Sequence, residues 1–261
     1  MAKSGWVKFP HGEAAYRHEG AALKKAWDRL HRGDCEPFPK DEASQDAWRL
    51  YHAGEFEKAV EAGLAAGTAS GVNAANKAQS IYATYLEKSD AKRLKLFEEA
   101  MERAEESMAE HPKDANAHYF FALAAGRYSQ GISIATALKK GLGGKIKTVL
   151  DHAIKLQPKH ADAHIALGTW HAEIIGKVGA MVGGLTYGAK KDASVEHFQK
   201  ALKLNPDSAI ARVEYANALV EMFGKDRMKE AEKLYAEATK VRPADAMERL
   251  DVELAKSEMD D

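Results

Sequence analysis

Apolar residues recur at three- and four-residue steps along most of this 261-residue chain, a pattern that predicts amphipathic helices. The stretch from Ile132 to Val149 is one example, with Ala135, Leu138, Leu142 and Ile146 between its ends. Alternating Val, Ile and Thr runs bounded by turn residues, which are typical of strands, are not found. The hydrophobic pattern therefore predicts an all-α protein.

Several of the predicted helices end in a proline after similar residues. Residues 153–158 read AIKLQP, residues 201–206 read ALKLNP, residues 238–243 read ATKVRP, and a weaker copy ends at Pro112. Each proline is expected to stop its helix, because proline disfavours a helical residue before it. Self-similarity at a period of a few tens of residues indicates stacked helical repeats.

The helices and their starting residues can be placed from this register. Asp114 and Asp207 each follow one of the prolines closely and are expected to be the N-caps of the next helices. The predicted helices cover residues 13–32, 42–53, 56–66, 73–88, 91–110, 115–127, 132–156, 161–182, 192–204, 208–222, 227–241 and 244–257.

The repeated segments resemble the tetratricopeptide repeat (TPR) family, whose unit is a helix–turn–helix of about 34 residues. The matching residues are Phe121-Ala122, Leu167-Gly168 and Tyr215-Ala216 in the first helix of a unit, and Ser194, Phe198, Ala201 and Pro206 in the second. The resemblance implies a right-handed helical-hairpin solenoid of about four to five repeats over residues 41–243. Helical caps are expected at residues 1–40 and, as an acidic segment, at residues 244–261.

Within this family, residues 162–204 look like the TPR proteins that regulate microtubule dynamics and the TPR component associated with some TRAP-type transporters. Both groups have extra residues inside their repeats. Pro112, Pro158 and Pro206 are likewise farther apart than the roughly 34 residues of one unit. The extra residues are expected between the two helices of a unit, near residues 126–147 and 176–191, as neighbouring insertions on one rim.

The resemblance also implies a concave groove, lined by the first helix of each unit, in which an extended peptide binds. Trp48, Tyr51, Asn116, Tyr119, Thr169 and Asn217 occupy these positions in this chain. Aromatic and Asn side chains suit the contacts of a protein interface. The alternative is that some of these residues pack beneath the N-terminal segment or the insertions, because aromatic residues also dominate protein cores.

The two insertions are basic and glycine-rich. Residues 126–147 and 176–191 contain basic residues but no acid. The basic residues expected along the rim are Arg127, Lys139, Lys140, Lys145, Lys147, Lys190 and Lys191. Together with the apolar stripes, they indicate either a pocket or docking edge for an anionic, amphipathic ligand, or extended helices that show lysine to water. A position at a membrane surface is a third possibility, since basic amphipathic helices can lie in the interface.

Composition limits the classes of partner. The chain is 45% hydrophobic and 30% charged, which suits a folded protein, and its net charge of −1 gives no overall attraction to nucleic acid. We find no apolar run of the roughly 18 residues that would span a membrane. Cys35 is the only cysteine, so no intrachain disulfide can form, and we expect a cytoplasmic location.

The sequence contains no motif that predicts catalysis. His160, His164 and His171 have a helical spacing that can hold a metal, but histidine spacing alone is weak evidence, and we predict neither a metal nor a cofactor. Cys35 is either a reactive thiol near Arg32 or a buried small residue. The leading hypothesis is a non-enzymatic scaffold or adaptor that binds a protein or peptide in its groove. The alternative is a protein that binds an anionic or amphipathic small ligand at the insertions.

Overall fold

The computed structural model describes residues 5–260, and helices and turns account for all the regular structure there, with no β-strand. The predicted caps, residues 1–40 and 244–261, extend beyond this range at both ends. The first six helices are α1 (Ala21–Leu30), α2 (Glu42–His52), α3 (Phe56–Ala66), α4 (Ala69–Tyr85), α5 (Asp90–Glu110) and α6 (Ala115–Gln130). The predicted all-α fold class is therefore confirmed.

Eight further helices follow. They are α7 (Ile134–Lys139), α8 (Leu142–Leu156), α9 (Ala161–Val178), α10 (Ala180–Tyr187), α11 (Lys191–Leu204), α12 (Ala209–Phe223), α13 (Met228–Ala238) and α14 (Ala246–Asp260). Short 3₁₀ turns cover Ala14–Tyr16 and Gly224–Arg227. The chain divides into two compact units.

The first unit consists of Met1–Leu30, Glu36–Gly131 and Ala244–Met247. Its helices α2 to α6 pack against one another in chain order, and α2 also contacts α4, while α4 contacts α6. Contact with both the next helix and the next but one is what stacked helical hairpins require. The helices α2, α4 and α6 are thus the first helices of successive TPR-like pairs, and α4 is buried along most of its length.

The second unit consists of His31–Cys35, Ile132–Pro243 and Glu248–Asp261. Helix α9 packs on α8, α11 and α12, and α12 packs on α13. Gly168 of α9 lies so close to Phe198 of α11 that a Cβ on this glycine would be 2.9 Å from the ring. The Phe198 ring stacks on Tyr215 of α12 with a centroid distance of 5.1 Å. These are the small and aromatic positions that the TPR resemblance predicted.

Three helices end in the same backbone geometry before a proline. The residues that follow α5, α8 and α11 have φ between −126° and −134° and ψ between 62° and 88°. In each case a turn closes around the proline through an amide that donates to the carbonyl three residues earlier: Asp114 to His111, His160 to Gln157 and Ser208 to Asn205. The sequence repeats at Pro112, Pro158 and Pro206 are therefore repeats of local structure.

The residue that closes each of these turns also caps the next helix. Asp114 accepts a hydrogen bond from the amide of Asn116, as expected. At the third turn the prediction of Asp207 is wrong, because Ser208 caps α12 by accepting from the amide of Ala211. Asp207 instead forms an ion pair with Arg32 at 2.7 Å.

Two predicted helices are each divided by a glycine. The segment predicted as one helix over residues 132–156 breaks at Gly141, which has φ 65° and separates α7 from α8. The segment predicted over residues 161–182 breaks at Gly179, with φ 81°, between α9 and α10. A positive φ costs glycine little, whereas other residues in this region are strained, so the chain turns at these positions. The short helices α7 and α10 form the ordered parts of the two insertions.

Candidate functional site

The first unit holds a buried carboxylate on the face formed by its first helices. The side chain of Glu36 accepts hydrogen bonds from Ser70 Oγ at 2.6 Å, from Asn116 Nδ2 at 2.6 Å and from Asn73 Nδ2 at 3.1 Å. The residue is only 4% exposed. We call Ser70, Asn73 and Asn116 the carboxylate cradle.

Helix geometry explains why these three residues converge. Ser70 and Asn73 are three positions apart on α4, so they lie on one face near its N-terminus. Asn116 is the second residue of α6. Exposed amides give a helix N-terminus a partial positive charge, and the carboxylate of Glu36 therefore lies where two helix dipoles favour an anion. Asn73 also donates to Asp114, the N-cap of α6, at 2.9 Å, which links the two helices.

Aromatic side chains of α2 form the wall beside the cradle. Trp48 Nε1 donates to Ser70 Oγ at 3.0 Å, and this hydroxyl in turn donates to Glu36. Lys77, itself buried, lies with its ammonium 6.0 Å from the Trp48 ring and 5.4 Å from the Tyr51 ring. Such cation–π contacts stabilise a cation away from water.

The chain itself covers this wall. The ring of Trp27, from α1, meets Trp48 edge-on at 6.0 Å, and its Nε1 donates to the carbonyl of Glu36 at 2.7 Å. The hydroxyl of Tyr51 lies 2.9 Å from the sulfur of Met247. Trp48 and Tyr51 have no exposed surface as a result. A partner can contact them only where these covering residues move.

The other predicted groove residues lie in different surroundings. Asn116 belongs to the cradle, and Tyr119 is buried beside Phe120 with a centroid distance of 5.2 Å. In the second unit, Thr169 donates to Glu214 at 3.3 Å, and Asn217 accepts from the hydroxyl of Tyr235. The structure thus brings Trp48 and Tyr51 together beside the cradle that contains Asn116.

Sequence reasoning missed Glu36, Ser70, Asn73 and Lys77. The indication was present in α4, where the run NAANKAQS over residues 73–80 mixes alanine with polar residues and shows no apolar stripe. Every residue of this run is buried. Asn73 Oδ1, Asn76 Nδ2 and Ser80 Oγ find no hydrogen-bond partner among the described residues. Unsatisfied buried polar atoms are rare in folded proteins, so three of them on one helix call for an explanation.

The residues predicted as a basic rim are divided between the units. Arg127 lies on α6 of the first unit, and the six lysines lie in the second. Lys139, Lys140, Lys145 and Lys190 are exposed. Lys147 pairs with Asp151 at 2.6 Å, and the ammonium of Lys191 donates to the carbonyl of Met222. The two insertions meet where the Tyr187 ring, at the end of α10, lies against Gly143 in the first turn of α8.

Three histidines cluster between α9 and α11. His164 Nδ1 and His197 Nδ1 are 2.8 Å apart, and the rings of His171 and His197 stack with a centroid distance of 5.9 Å. Burial lowers the pKa of His164 and of His171 to about 4, with His197 as the next cause in both cases. No group of three or more His, Cys, Asp or Glu residues within residues 5–260 has an arrangement that could hold a metal.

The environment of Cys35 is not that of a reactive thiol. Its Sγ is 3.3 Å from the carbonyl oxygen of Lys159. Burial raises the pKa of this thiol to about 11, and the negative charges of Asp34 and Asp162 add to the effect. A thiol that stays protonated is a poor nucleophile.

The fold is that of a TPR-like helical-repeat protein. A crystal structure of TTC0263, a thermophilic TPR protein from Thermus thermophilus, matches 82% of this chain and 97% of its own chain, with a TM-score of 0.58 and 19% identity. A monomeric mutant of IFIT1 solved with Gppp-AAAA matches 85% of this chain and 56% of its own, with a TM-score of 0.43 and 13% identity.

A match to a family model shows which family of TPR-like proteins the chain belongs to. Residues 46–260 match the model of the family described as regulator of microtubule dynamics protein 1-3, and the chain belongs to that family. This confirms one of the two groups that residues 162–204 were found to resemble. Among curated proteins, none matches the chain. No helix within residues 5–260 is long and apolar enough to cross a bilayer.

Proposed function

We propose that this chain is a non-enzymatic scaffold whose first-helix face binds an extended protein segment around a carboxylate. The observation that carries the proposal is the carboxylate cradle, in which Ser70, Asn73 and Asn116 all donate to Glu36. A buried carboxylate is stable only where donors replace its water, so this face is suited to an acidic side chain or a chain terminus. We assign no catalysis to it.

In the free chain, the segment around Glu36 occupies the cradle. A partner segment that carries a carboxylate displaces Glu36, and it contacts the wall of Trp48 and Tyr51 where Trp27 and Met247 move away with the displaced segment. The unsatisfied polar atoms of Asn73, Asn76 and Ser80 support this exchange, because they leave α4 with donors and acceptors that the chain itself does not use. Tethering gives Glu36 a high effective concentration, so a partner must offer more contacts than residues 36–38 do.

Two further observations support the class of partner and the location. The description of the matching family, regulator of microtubule dynamics, agrees with a protein that acts through protein contacts. A single cysteine is typical of proteins from a reducing compartment, which supports the cytoplasm. Thr169 and Asn217 remain proposed contacts for a partner in the second unit.

A peptide supplied in trans tests the cradle. The probe is a fluorescein-labelled peptide with the sequence of residues 31–40, in which serine replaces the cysteine. Fluorescence anisotropy is measured with the natural chain and with the double variant Glu36→Ala, Phe38→Ala. The first change empties the cradle, and the second removes the ring that packs edge-on against Trp27 at 5.0 Å. We expect the variant to bind the peptide at least about tenfold more tightly, because the tethered competitor is gone.

Two controls separate the cradle from non-specific binding. Adding Asn73→Ala and Asn116→Ala to the double variant should abolish the gain in affinity for the peptide. A probe peptide with Gln at the position of Glu36 should bind the double variant weakly. Circular dichroism confirms that each variant is helical. Equal binding by the natural chain, the emptied variant and the cradle variant would rule the proposal out.

A further inference from the structure

Exposed apolar side chains are concentrated on the two insertion helices of the second unit. Within residues 5–260, eight large apolar side chains are exposed, and five of them lie on α7 and α10. They are Ile134 (46% exposed), Leu138 (51%), Met181 (77%), Val182 (51%) and Leu185 (85%). Scattered apolar residues are normal on a surface, whereas a concentration on two short helices marks an interaction site.

The exposed residues have a common direction on each helix. Ile134 and Leu138 are four positions apart on α7, and Met181 and Leu185 are four positions apart on α10. Residues at this spacing lie on one helix face. Each insertion therefore offers an apolar ridge to the outside and does not use it in its own core.

The two insertion helices pack on two longer helices that contact each other. Helix α7 packs on α8, and α10 packs on α9. Gly183 of α10 lies against Ile174 of α9, and Trp170 of α9 donates to the carbonyl of Gly143 in α8 at 2.8 Å. The contact between Tyr187 and Gly143 joins the two insertions. The ridges are thus parts of one region of the second unit.

The charge of this region points to the chemistry of the partner. Residues 132–150 and 174–191 contain seven lysines and no Asp or Glu, in a chain with 39 acids. Lys139 and Lys140 end α7, and Lys190 follows α10, all three exposed. Apolar ridges bordered by lysine without acid are typical of segments that lie in the interface of an anionic bilayer.

We propose that α7 and α10 form a docking surface for an anionic lipid bilayer. Met181, Val182, Leu185, Ile134 and Leu138 enter the boundary between head groups and acyl chains, and the lysines contact the anionic head groups. The proposal goes beyond the scaffold function and uses none of the cradle residues. Gly179 and Gly188, which have positive φ, form the turns at the two ends of α10.

Co-flotation with vesicles tests the surface. The full chain is mixed with phosphatidylcholine vesicles that contain or lack phosphatidylglycerol. We expect binding to the anionic vesicles that falls as salt is raised, because surface charges are screened. Met181→Ser with Leu185→Ser, and separately Lys139→Glu with Lys140→Glu, should each weaken binding by about tenfold or more.

Matched variants outside the insertions serve as controls. Leu64→Ser removes an exposed apolar side chain of the first unit, and Lys58→Glu with Lys233→Glu makes the same change in charge. Neither should change the binding. In the Leu185→Trp variant, we expect the tryptophan emission to shift to shorter wavelength with anionic vesicles, which a purely electrostatic contact would not produce.

Other outcomes would overturn the proposal. Equal binding to neutral and anionic vesicles, or no loss in the insertion variants, would show that the lysines and ridges are not the contact. Self-association of the natural chain in analytical ultracentrifugation that Met181→Ser with Leu185→Ser abolishes, without vesicle binding, would assign the ridges to a second copy of the chain. A failed peptide assay at the cradle would leave the vesicle result unaffected.

Discussion

The Nδ1 atoms of His164 and His197 lie 2.8 Å apart, one on α9 and the other on α11. A hydrogen bond between two imidazole nitrogens needs one donor and one acceptor, so at least one ring of the pair must be neutral. Nearby, His171 Nδ1 accepts a hydrogen bond from the amide of Lys190 at 3.2 Å, which also requires an unprotonated nitrogen. The contact between α9 and α11 is therefore built on neutral histidines.

We predict that acid weakens the fold through this cluster. The pKa of His164 and of His171 is about 4 in the folded chain, below the ordinary histidine value of 6.5, mainly because of burial. The unfolded chain therefore binds more protons between these two values. The stabilisation is complete above about pH 6.5 and is lost as pH falls toward 4. One pKa unit corresponds to about 1.4 kcal/mol, and partial solvation of the two rings reduces the sum of their shifts. Urea unfolding followed by circular dichroism should therefore show a loss of at least about 2 kcal/mol over this range.

Two variants make the pH prediction specific. His164→Gln with His171→Gln should reduce the dependence between pH 6.5 and 4, because these are the two rings whose pKa is about 4 in the folded chain. His111→Gln, at an exposed residue after α5, should leave it unchanged. An identical pH slope in all three proteins would contradict the assignment to the cluster.

We predict that Gly168→Ala destabilises the chain. Alanine favours a helix by about 1 kcal/mol relative to glycine, but its Cβ would lie 2.9 Å from the Phe198 ring, which is fixed by stacking on Tyr215. The cost of overpacking should exceed the gain in helix propensity and reduce the free energy of unfolding by about 1–3 kcal/mol. Denaturant unfolding measures the difference.

Gly126→Ala is the matched control for this substitution. Gly126 lies in helix α6, and no neighbouring atom is within 4 Å of the place that a Cβ would occupy. The same change should therefore stabilise the chain by about 0.5–1 kcal/mol. If both variants were more stable than the natural chain, the contact between α9 and α11 would have accommodated the added methyl group without strain.

We predict that Glu36→Ala is more destabilising than Glu36→Gln. Alanine removes the acceptor of three donors in the cradle and should reduce the free energy of unfolding by about 2–3 kcal/mol, because hydrogen bonds to a charged group are strong and buried donors are costly to leave unpaired. Glutamine keeps one carbonyl oxygen and should recover part of this loss. Thermal and urea unfolding provide the comparison, and equal stability of the two variants would count against the three hydrogen bonds.

We predict slow alkylation of Cys35. The thiol pKa of Cys35 is about 11, whereas that of an ordinary cysteine is near 8.5. At pH 8 the thiolate fraction of Cys35 is therefore more than about a hundred times smaller. The rate of reaction with iodoacetamide, followed by mass spectrometry, should be low at pH 8 and should rise steadily with pH. The urea-unfolded chain is the control and should react at the ordinary rate.

Much of the fold could be predicted because it depends on local chemistry. The apolar period, the helix-stopping prolines and the small and aromatic positions at Gly168 and Phe198 all follow from neighbouring residues or from a known repeat. The breaks at Gly141 and Gly179 were harder to predict, since glycine within an apolar helical pattern is compatible with both a continuous helix and a turn. The cap prediction at Asp207 was wrong by one residue, because Ser208 caps α12 while Asp207 pairs with Arg32, which is 175 residues away in the chain.

The sequence alone therefore determined the all-α class, the helical repeat and the TPR resemblance, because periodicity and proline act over a few residues. Only the tertiary structure decided what lies on the first-helix face. Glu36 and Asn116 are 80 residues apart in the chain, and nothing local to either predicts that one accepts from the other. Whether Trp48 and Tyr51 are exposed or covered depends in the same way on distant residues, Trp27 and Met247. A buried polar group is stable only when it has hydrogen-bond partners. On this face those partners are distant in the chain, so the packing of the helices decides whether they meet.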